Sequence, residues 1–258
     1  MSSRLVPART AFVTACVMAV LAATPRAGSG EELLVSAAVS LSNAFQALGQ
    51  EFERERPNTR VLFNFGASGH LLQQMAHGAP VDVFASADQE TMDRAQAQRL
   101  LVEETRSDFA RNQLILAVPA STPLQISSLD DLKQPGVTRI AIGKPDTVPA
   151  GHYAQEALEL AGLWEALRPK YIFGQNVRQV LDYLERGEVD AAFIYASDAL
   201  IAARKVRVVL TAQLRRPILY PVAVVAASAN QARAREFVAF VLSEPAQKLL
   251  KRYGFTRP

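Results

Sequence analysis

The stretch 33–45, Leu-Leu-Val-Ser-Ala-Ala-Val-Ser-Leu-Ser-Asn-Ala-Phe, constrains the fold more than any other part of the chain. An apolar strand over 33–37 runs almost without a loop into a helix that spaces Leu41, Ala44, Phe45, Leu48 and Phe52 three or four residues apart. That spacing makes one apolar helix face, suited to packing on a sheet. Ser40 stands at the joint. A serine there brings a hydroxyl beside unpaired backbone N–H groups at the positive end of a helix dipole, a setting that favours an anion, although most serines so placed simply cap the helix.

The unit recurs along the chain. Residues 60–65 read as a strand leading through Gly66-Ala67-Ser68-Gly69 to a short helix from His70, and 79–86 as a third strand leading by way of Asp88 into a helix with Met92, Ala95 and Leu100. Residues 112–118 form a continuous apolar run ending at Pro119, where the chain is expected to cross into a second lobe. There, 139–143 predicts a strand and 150–161 a helix with Pro149 at its first position and Tyr153, Ala157, Leu158 and Ala161 turned inward. A strand at 171–173 is followed by Asn176 capping a helix with Val177, Val180, Leu181 and Leu184 inward, stopped at Gly187. A strand over 189–195 enters a helix at Ala196, and 206–210 ends this half. Residues 220–226 predict a strand returning to the first lobe, and helices over 230–242 and 244–252 close the chain. Alternating strands and helices predict an α/β protein with mostly parallel sheets flanked by helices. The expected lobes are 31–110 with 220–258 (lobe I) and 111–219 (lobe II).

Composition matters mainly at the N-terminus. Arg4 and Arg9 precede an apolar run over 10–23 and small residues over 27–30, the pattern of a secretory signal peptide spanning 1–30. Arg4, Arg9 and Arg26 account for the whole formal charge of +3, so the mature chain is neutral. A nucleic-acid partner, which needs a basic face, is therefore not expected. The sole cysteine, Cys16, lies in the leader. Val13-Thr14-Ala15-Cys16 looks like a lipidation site, but the apolar run continues well past it, and lipidation is not expected. The mature chain has no disulfide, thiol nucleophile or cysteine metal site.

Ligands of open α/β sheets sit beyond the carboxyl ends of the strands. Here those joints fall at Ser40, Ser68, Ala150, Val177 and Tyr195, and each is built of small or neutral residues. Small residues let backbone N–H groups approach a ligand, and serine or tyrosine adds a hydroxyl donor. A cleft rich in neutral donors suits a small, fully ionised oxyanion. Arg178 is the one cation near a joint and stays unassigned, because it could point outward; Asp146 and Asp198 are expected to cap helices.

The chain resembles the periplasmic molybdate-binding proteins that serve ATP-driven molybdate importers. The resemblance spans the mature chain and rests on Ala37-Ala38-Val39-Ser40-Leu41, Gly66-Ala67-Ser68, Ala79-Pro80-Val81-Asp82-Val83-Phe84-Ala85-Ser86-Ala87-Asp88-Gln89, Val148-Pro149-Ala150-Gly151, Tyr195-Ala196-Ser197-Asp198, Tyr220-Pro221-Val222-Ala223-Val224-Val225 and Arg252-Tyr253-Gly254-Phe255. It implies a type II two-lobed binding fold with crossover strands. It also implies molybdate or tungstate held by Ser40, Ser68, Ala150, Val177 and Tyr195, molybdenum being present only as the bound oxyanion. No cofactor, a permease partner, a monomer and a periplasmic location follow from the same resemblance. Val39, Ser42 and Gly69 depart from the family's usual residues, and Gly69 removes a possible donor.

Four other functions compete. Gly66-Ala67-Ser68-Gly69-His70 begins like the nucleophile elbow of a serine hydrolase built on Ser68, but its fifth residue is His, and only His152 follows as a candidate base. A receptor for sulfate or another tetrahedral oxyanion would share the fold. An iron carrier would need clustered Tyr, His and carboxylates, and the joints offer only Tyr195; His70 and His77 share a helix face without a third ligand. A regulatory domain inside the cell is opposed by the leader.

Overall fold

Strands covered by helices on both faces need no polar alternation, and the most apolar runs of this chain occupy the middle of two sheets. The computed structural model describes residues 31–258; the leader, its cleavage and Cys16 lie outside the described residues. The first part contains β1 (Glu31–Ala38), α1 (Ser42–Glu55), β2 (Thr59–Gly66), α2 (Ser68–Ala76), β3 (Val83–Ala85), α3 (Gln89–Ala97) and β4 (Ser107–Asn112). Then follow β5 (Leu114–Pro119), β6 (Ile140–Gly143), α4 (Pro149–Leu160), α5 (Trp164–Leu167), β7 (Tyr171–Gly174), α6 (Val177–Glu185), β8 (Ala191–Tyr195), α7 (Ala196–Ile201) and β9 (Val206–Thr211). The chain ends with β10 (Ile218–Val224), α8 (Gln231–Leu242) and α9 (Glu244–Arg252).

The sheets have the orders β2-β1-β3-β10-β4 and β7-β6-β8-β5-β9. In each, three neighbouring strands pair in parallel, with Val35 opposite Val83 in the first and Ile140 opposite Ala191 in the second. The fourth strand, β10 or β5, runs against its neighbours on both sides. Both fourth strands adjoin a crossing between sheets. β5 enters the second sheet directly after β4 leaves the first, and β10 returns to the first after β9.

The sequence pattern locates these elements, with instructive exceptions. The apolar run at 112–118 is two strands in different sheets, broken at Gln113, and β4 was not expected at all. As the outermost strand of its sheet, β4 reads Ser-Asp-Phe-Ala-Arg-Asn and lacks the continuous apolar character of a central strand. Helix α2 starts at Ser68 rather than His70. On α4, Ala154 is buried where Ala161 was expected, because Ala161 lies just past the last turn and is exposed.

The core of the first lobe is aromatic. Phe45 and Phe52 of α1 are fully buried, with ring centroids 5.6 Å from Phe109 and 5.2 Å from Phe237, respectively. Burying one such side chain contributes roughly 1.5–3 kcal/mol. This packing seats α1 on the sheet and so fixes where β1 turns into it. Among the described residues, no helix is long and apolar enough to cross a membrane.

Candidate functional site

The carboxyl ends of the central strands meet across the gap between the sheets. Ser40, Ser68, Ala150, Val177 and Tyr195 all line one small cavity there, with a wall completed by residues such as Ala38, Gly66, Ala87 and Pro149. The cavity is small, about 10 Å³ of room for the centre of a water-sized sphere, and among the described residues no charged side chain lines it. Two larger clefts, about 530 and 550 Å³ by the same measure, flank Arg215 and Arg216 on the connection from β9 to β10. Neither contains any of the joint residues. Volume alone would favour the clefts, but only the small cavity gathers strand ends, helix starts and uncommitted donors.

Each wall residue presents its donor for a local reason. Ser40 does not cap α1; it sits in a 3₁₀ turn, Val39–Leu41, between β1 and the helix. Its Oγ is 3.2 Å from the Tyr220 hydroxyl, which itself accepts from Asn112 Nδ2 at 3.3 Å. With Tyr220 donating to Ser40, the Ser40 proton is left for a ligand. Ser68 is the first residue of α2 and fully buried; its Oγ accepts the Ala87 N–H at 3.0 Å, again leaving its proton free. Ala150 and Val177 lie in the first turns of α4 and α6, where N–H groups have no partner within the helix. Asn176 caps α6 by accepting from the Gln179 N–H, so the cap does not consume Val177.

Tyr195 carries the most specific signal. It is 1 % exposed, yet among the described residues its hydroxyl has no hydrogen-bond partner. Its ring lies 5.9 Å from that of Tyr220, centroid to centroid, and the two hydroxyls are near one another without the alignment of a hydrogen bond. Burial pushes its pKa far above the ordinary tyrosine range, so it remains a neutral donor. A buried, unpartnered hydroxyl is costly, and one aimed into a cavity asks for an acceptor.

Charge lies behind the wall. Arg178, one residue into α6 from Val177, turns inward: Nε is 2.9 Å from Oδ1 of fully buried Asp198, an ion pair whose N–H is not aligned on the oxygen. The other Asp198 oxygen accepts the Tyr195 backbone N–H at 3.1 Å, so this acid does close the start of α7. Burial raises the Asp198 pKa to about 6, against the pull of Arg178 and of the Tyr195 N–H. Asp146 is exposed and does not cap α4, whose capping position is Val148 without a side-chain bond.

The lobes touch around the cavity. Gly69 donates its N–H to the Thr147 carbonyl at 3.1 Å, which gives a use for the position where a hydroxyl donor is missing. Asn112 Nδ2 also donates to Ser197 Oγ at 2.8 Å, tying β4 to α7 beside the crossing. The Ser68 oxygen is engaged by a backbone amide and no histidine lines the cavity, so the serine-hydrolase reading lacks its base there. Among the described residues, no group of three or more His, Cys, Asp or Glu could hold a metal ion.

Sequence reasoning missed Asn112, Tyr220 and Ala87. Ala87 follows a strand end through small residues, as the predicted joints do, and the same rule could have found it. Asn112 and Tyr220 carry no local signal, because their roles arise from strands paired across the crossing.

Two α/β lobes meeting over a small, donor-lined cavity define a type II two-lobed binding protein. The chain belongs to the bacterial extracellular solute-binding protein family, which it matches over residues 33–256. It is 35% identical over 253 residues to the molybdate-binding protein ModA of Escherichia coli (strain K12), covering 95% of this chain and 96% of that protein. It is 33% identical to a putative ABC transporter substrate-binding lipoprotein, YvgL, of Bacillus subtilis (strain 168), covering 87% of this chain and 86% of YvgL. Among solved structures, the substrate-binding domain of a putative molybdenum ABC transporter from Clostridium difficile is 37% identical with a TM-score of 0.68, covering 88% of this chain and 99% of that one.

Proposed function

We propose that this protein captures molybdate in the interlobe cavity and delivers it to the permease of an ABC importer. The observation that carries the reading is the buried, unpartnered Tyr195 hydroxyl in a cavity whose other donors are also uncommitted. The three hydroxyls of Ser40, Ser68 and Tyr195 and the N–H groups of Ala150 and Val177 are the proposed ligands of the oxyanion. Helix starts supply partial positive charge without a formal cation. The relatives named above support the choice of anion.

The donor set also sets selectivity. Tungstate has nearly the same size and charge as molybdate and fits the same donors. Sulfate is smaller and cannot reach donors on all walls at once. A phosphate that retains a proton would need an acceptor, and no carboxylate lines the cavity. No cofactor takes part in this reading. The mature protein is taken to act as a monomer in the periplasm after removal of its signal peptide, with residues 31–110 and 220–258 forming lobe I and 111–219 lobe II.

Thermal unfolding of the mature protein with molybdate, tungstate, sulfate and phosphate in turn tests the proposal, because a ligand bound only by the folded state raises the midpoint. A rise with the first two alone is expected. A rise with sulfate or phosphate instead would keep the binding role and replace the cargo, and no rise with any of them would remove the oxyanion reading.

A further inference from the structure

We infer that Arg178 is a positioning residue that latches the two lobes together over the anion, bridging Ser40 on one side and Asp198 on the other. The inference rests on the binding site proposed above and assigns a role to a side chain outside its wall. Arg178 belongs to α6 and Asp198 to α7, both in the second lobe, and their 2.9 Å ion pair needs no closure to exist. Arg178 also donates Nη2–H to the Ser40 carbonyl at 3.4 Å, and Ser40 belongs to the first lobe. That contact exists only while the lobes are together.

Asp198 extends the bridge to the anion's other side. One of its oxygens faces Arg178 and the other accepts the Tyr195 N–H at 3.1 Å. The path Tyr195, Asp198, Arg178, Ser40 therefore links hydroxyl-bearing residues on opposite walls of the cavity, running behind Val177, the neighbour of Arg178. The formal charges of the pair cancel. Arg178 can thus stiffen the closed site without giving the cavity the fixed positive charge that would hold any anion irrespective of shape.

The geometry demands an arginine. A planar guanidinium presents N–H groups in several fixed directions and can face a carboxylate and a carbonyl together, whereas lysine offers a compact ammonium on a flexible stem. Lysine at 178 preserves a cation for Asp198 but gives up the reach to Ser40. A purely structural role, neutralising Asp198, is met by either residue.

The test is the release of radiolabelled molybdate from the mature protein, chased with excess unlabelled molybdate, alongside the association rate and the melting midpoint without ligand. For Arg178→Lys, dissociation is expected to accelerate about tenfold while association changes less than about twofold, since losses of closed-state contacts fall mainly on dissociation. Its ligand-free midpoint should match that of the wild type. The paired variant Arg178→Met with Asp198→Asn removes both charges, leaves no orphaned ion and should release molybdate equally fast. Wild-type dissociation kinetics in Arg178→Lys, or in the folded paired variant, would overturn the latch alone. A wild-type protein that binds no molybdate would overturn both the latch and the site on which it rests.

Discussion

Gly69 donates its backbone N–H to the Thr147 carbonyl at 3.1 Å across the cleft, and a Cβ added to Gly69 would lie 2.8 Å from that same oxygen. The close approach joins the start of α2 to the loop before α4. Because the atom in the way is backbone, accommodating a methyl group requires the lobes to part slightly or tilt. Gly69→Ala is therefore expected to leave the ligand-free protein as stable as the wild type and to weaken molybdate binding by about 1–3 kcal/mol, the usual scale of overpacking. Calorimetric titration checks the affinity and a thermal melt the stability. Unaltered affinity would show that closure does not depend on this contact.

Ser40 and Tyr195 offer their hydroxyls from opposite walls but differ in what each does without ligand. The Tyr195 hydroxyl has no partner, whereas Ser40 contacts Tyr220. Tyr195→Phe removes a buried polar atom that nothing satisfies, so the ligand-free melting point should hold or rise while anion binding falls by roughly 1.5–3 kcal/mol, the worth of a hydrogen bond to a charged group. Ser40→Ala should lose binding on the same scale, about 1–3 kcal/mol, and lower stability slightly. A Tyr195→Phe protein that binds molybdate normally would take this hydroxyl out of the site.

Asn112 is fixed at the crossing between lobes by three bonds. Its Nδ2 donates to Ser197 Oγ and the Tyr220 hydroxyl, and its Oδ1 accepts the Gln113 N–H at 2.9 Å. Asn112→Ala strips partners from buried Ser197 and Tyr220, and a cost of about 1–3 kcal/mol per group left unsatisfied is the expected scale. Urea denaturation would measure it. Asn112→Asp keeps the bond to Gln113 but replaces the Nδ2 donor by a buried, charged acceptor facing the Tyr220 oxygen, whose proton goes to Ser40, so a loss at least as large as that of Asn112→Ala is expected from it.

The clustering of the five joint residues on one cavity was legible in the sequence, because the candidate site is assembled from strand ends. Ser40, Ser68, Ala150, Val177 and Tyr195 each follow an apolar run and precede a helical pattern, and the geometry of α/β sheets brings such positions to one edge. The crossing at Gln113 was not legible, since β4 carries no apolar run of its own and the polar pair Asn112 and Gln113 reads as the start of the strand that follows rather than as a passage between sheets. Nor was the direction of Arg178, because a helix's first turn can send a side chain either way. Its partner, Asp198, lies on another helix, and only tertiary packing pairs them. The serine protons are settled in the same manner: the Ala87 N–H and the Tyr220 hydroxyl decide what Ser68 and Ser40 have left to donate.

Asp198 makes stability depend on pH in a direction opposite to that of an ordinary salt-bridged carboxylate. It is fully buried, and desolvation raises its pKa to about 6 despite Arg178 and the Tyr195 N–H, both of which favour the ionised form. In the unfolded chain an aspartate titrates near about 3.9. Between these values folding takes up a proton, so the Asp198 contribution is greatest below about pH 4, falls as the pH rises through about 6 and is level above it. The shift corresponds to roughly 2–3 kcal/mol across that window. Asp198→Asn stays neutral throughout, while its amide oxygen can still accept from Tyr195. The unfolding free energy of the wild type relative to Asp198→Asn, measured in urea from pH 4 to 7, should therefore decline with rising pH and then flatten. A difference that is constant over this range, or that grows with pH, would show that Asp198 is ionised in the folded protein throughout.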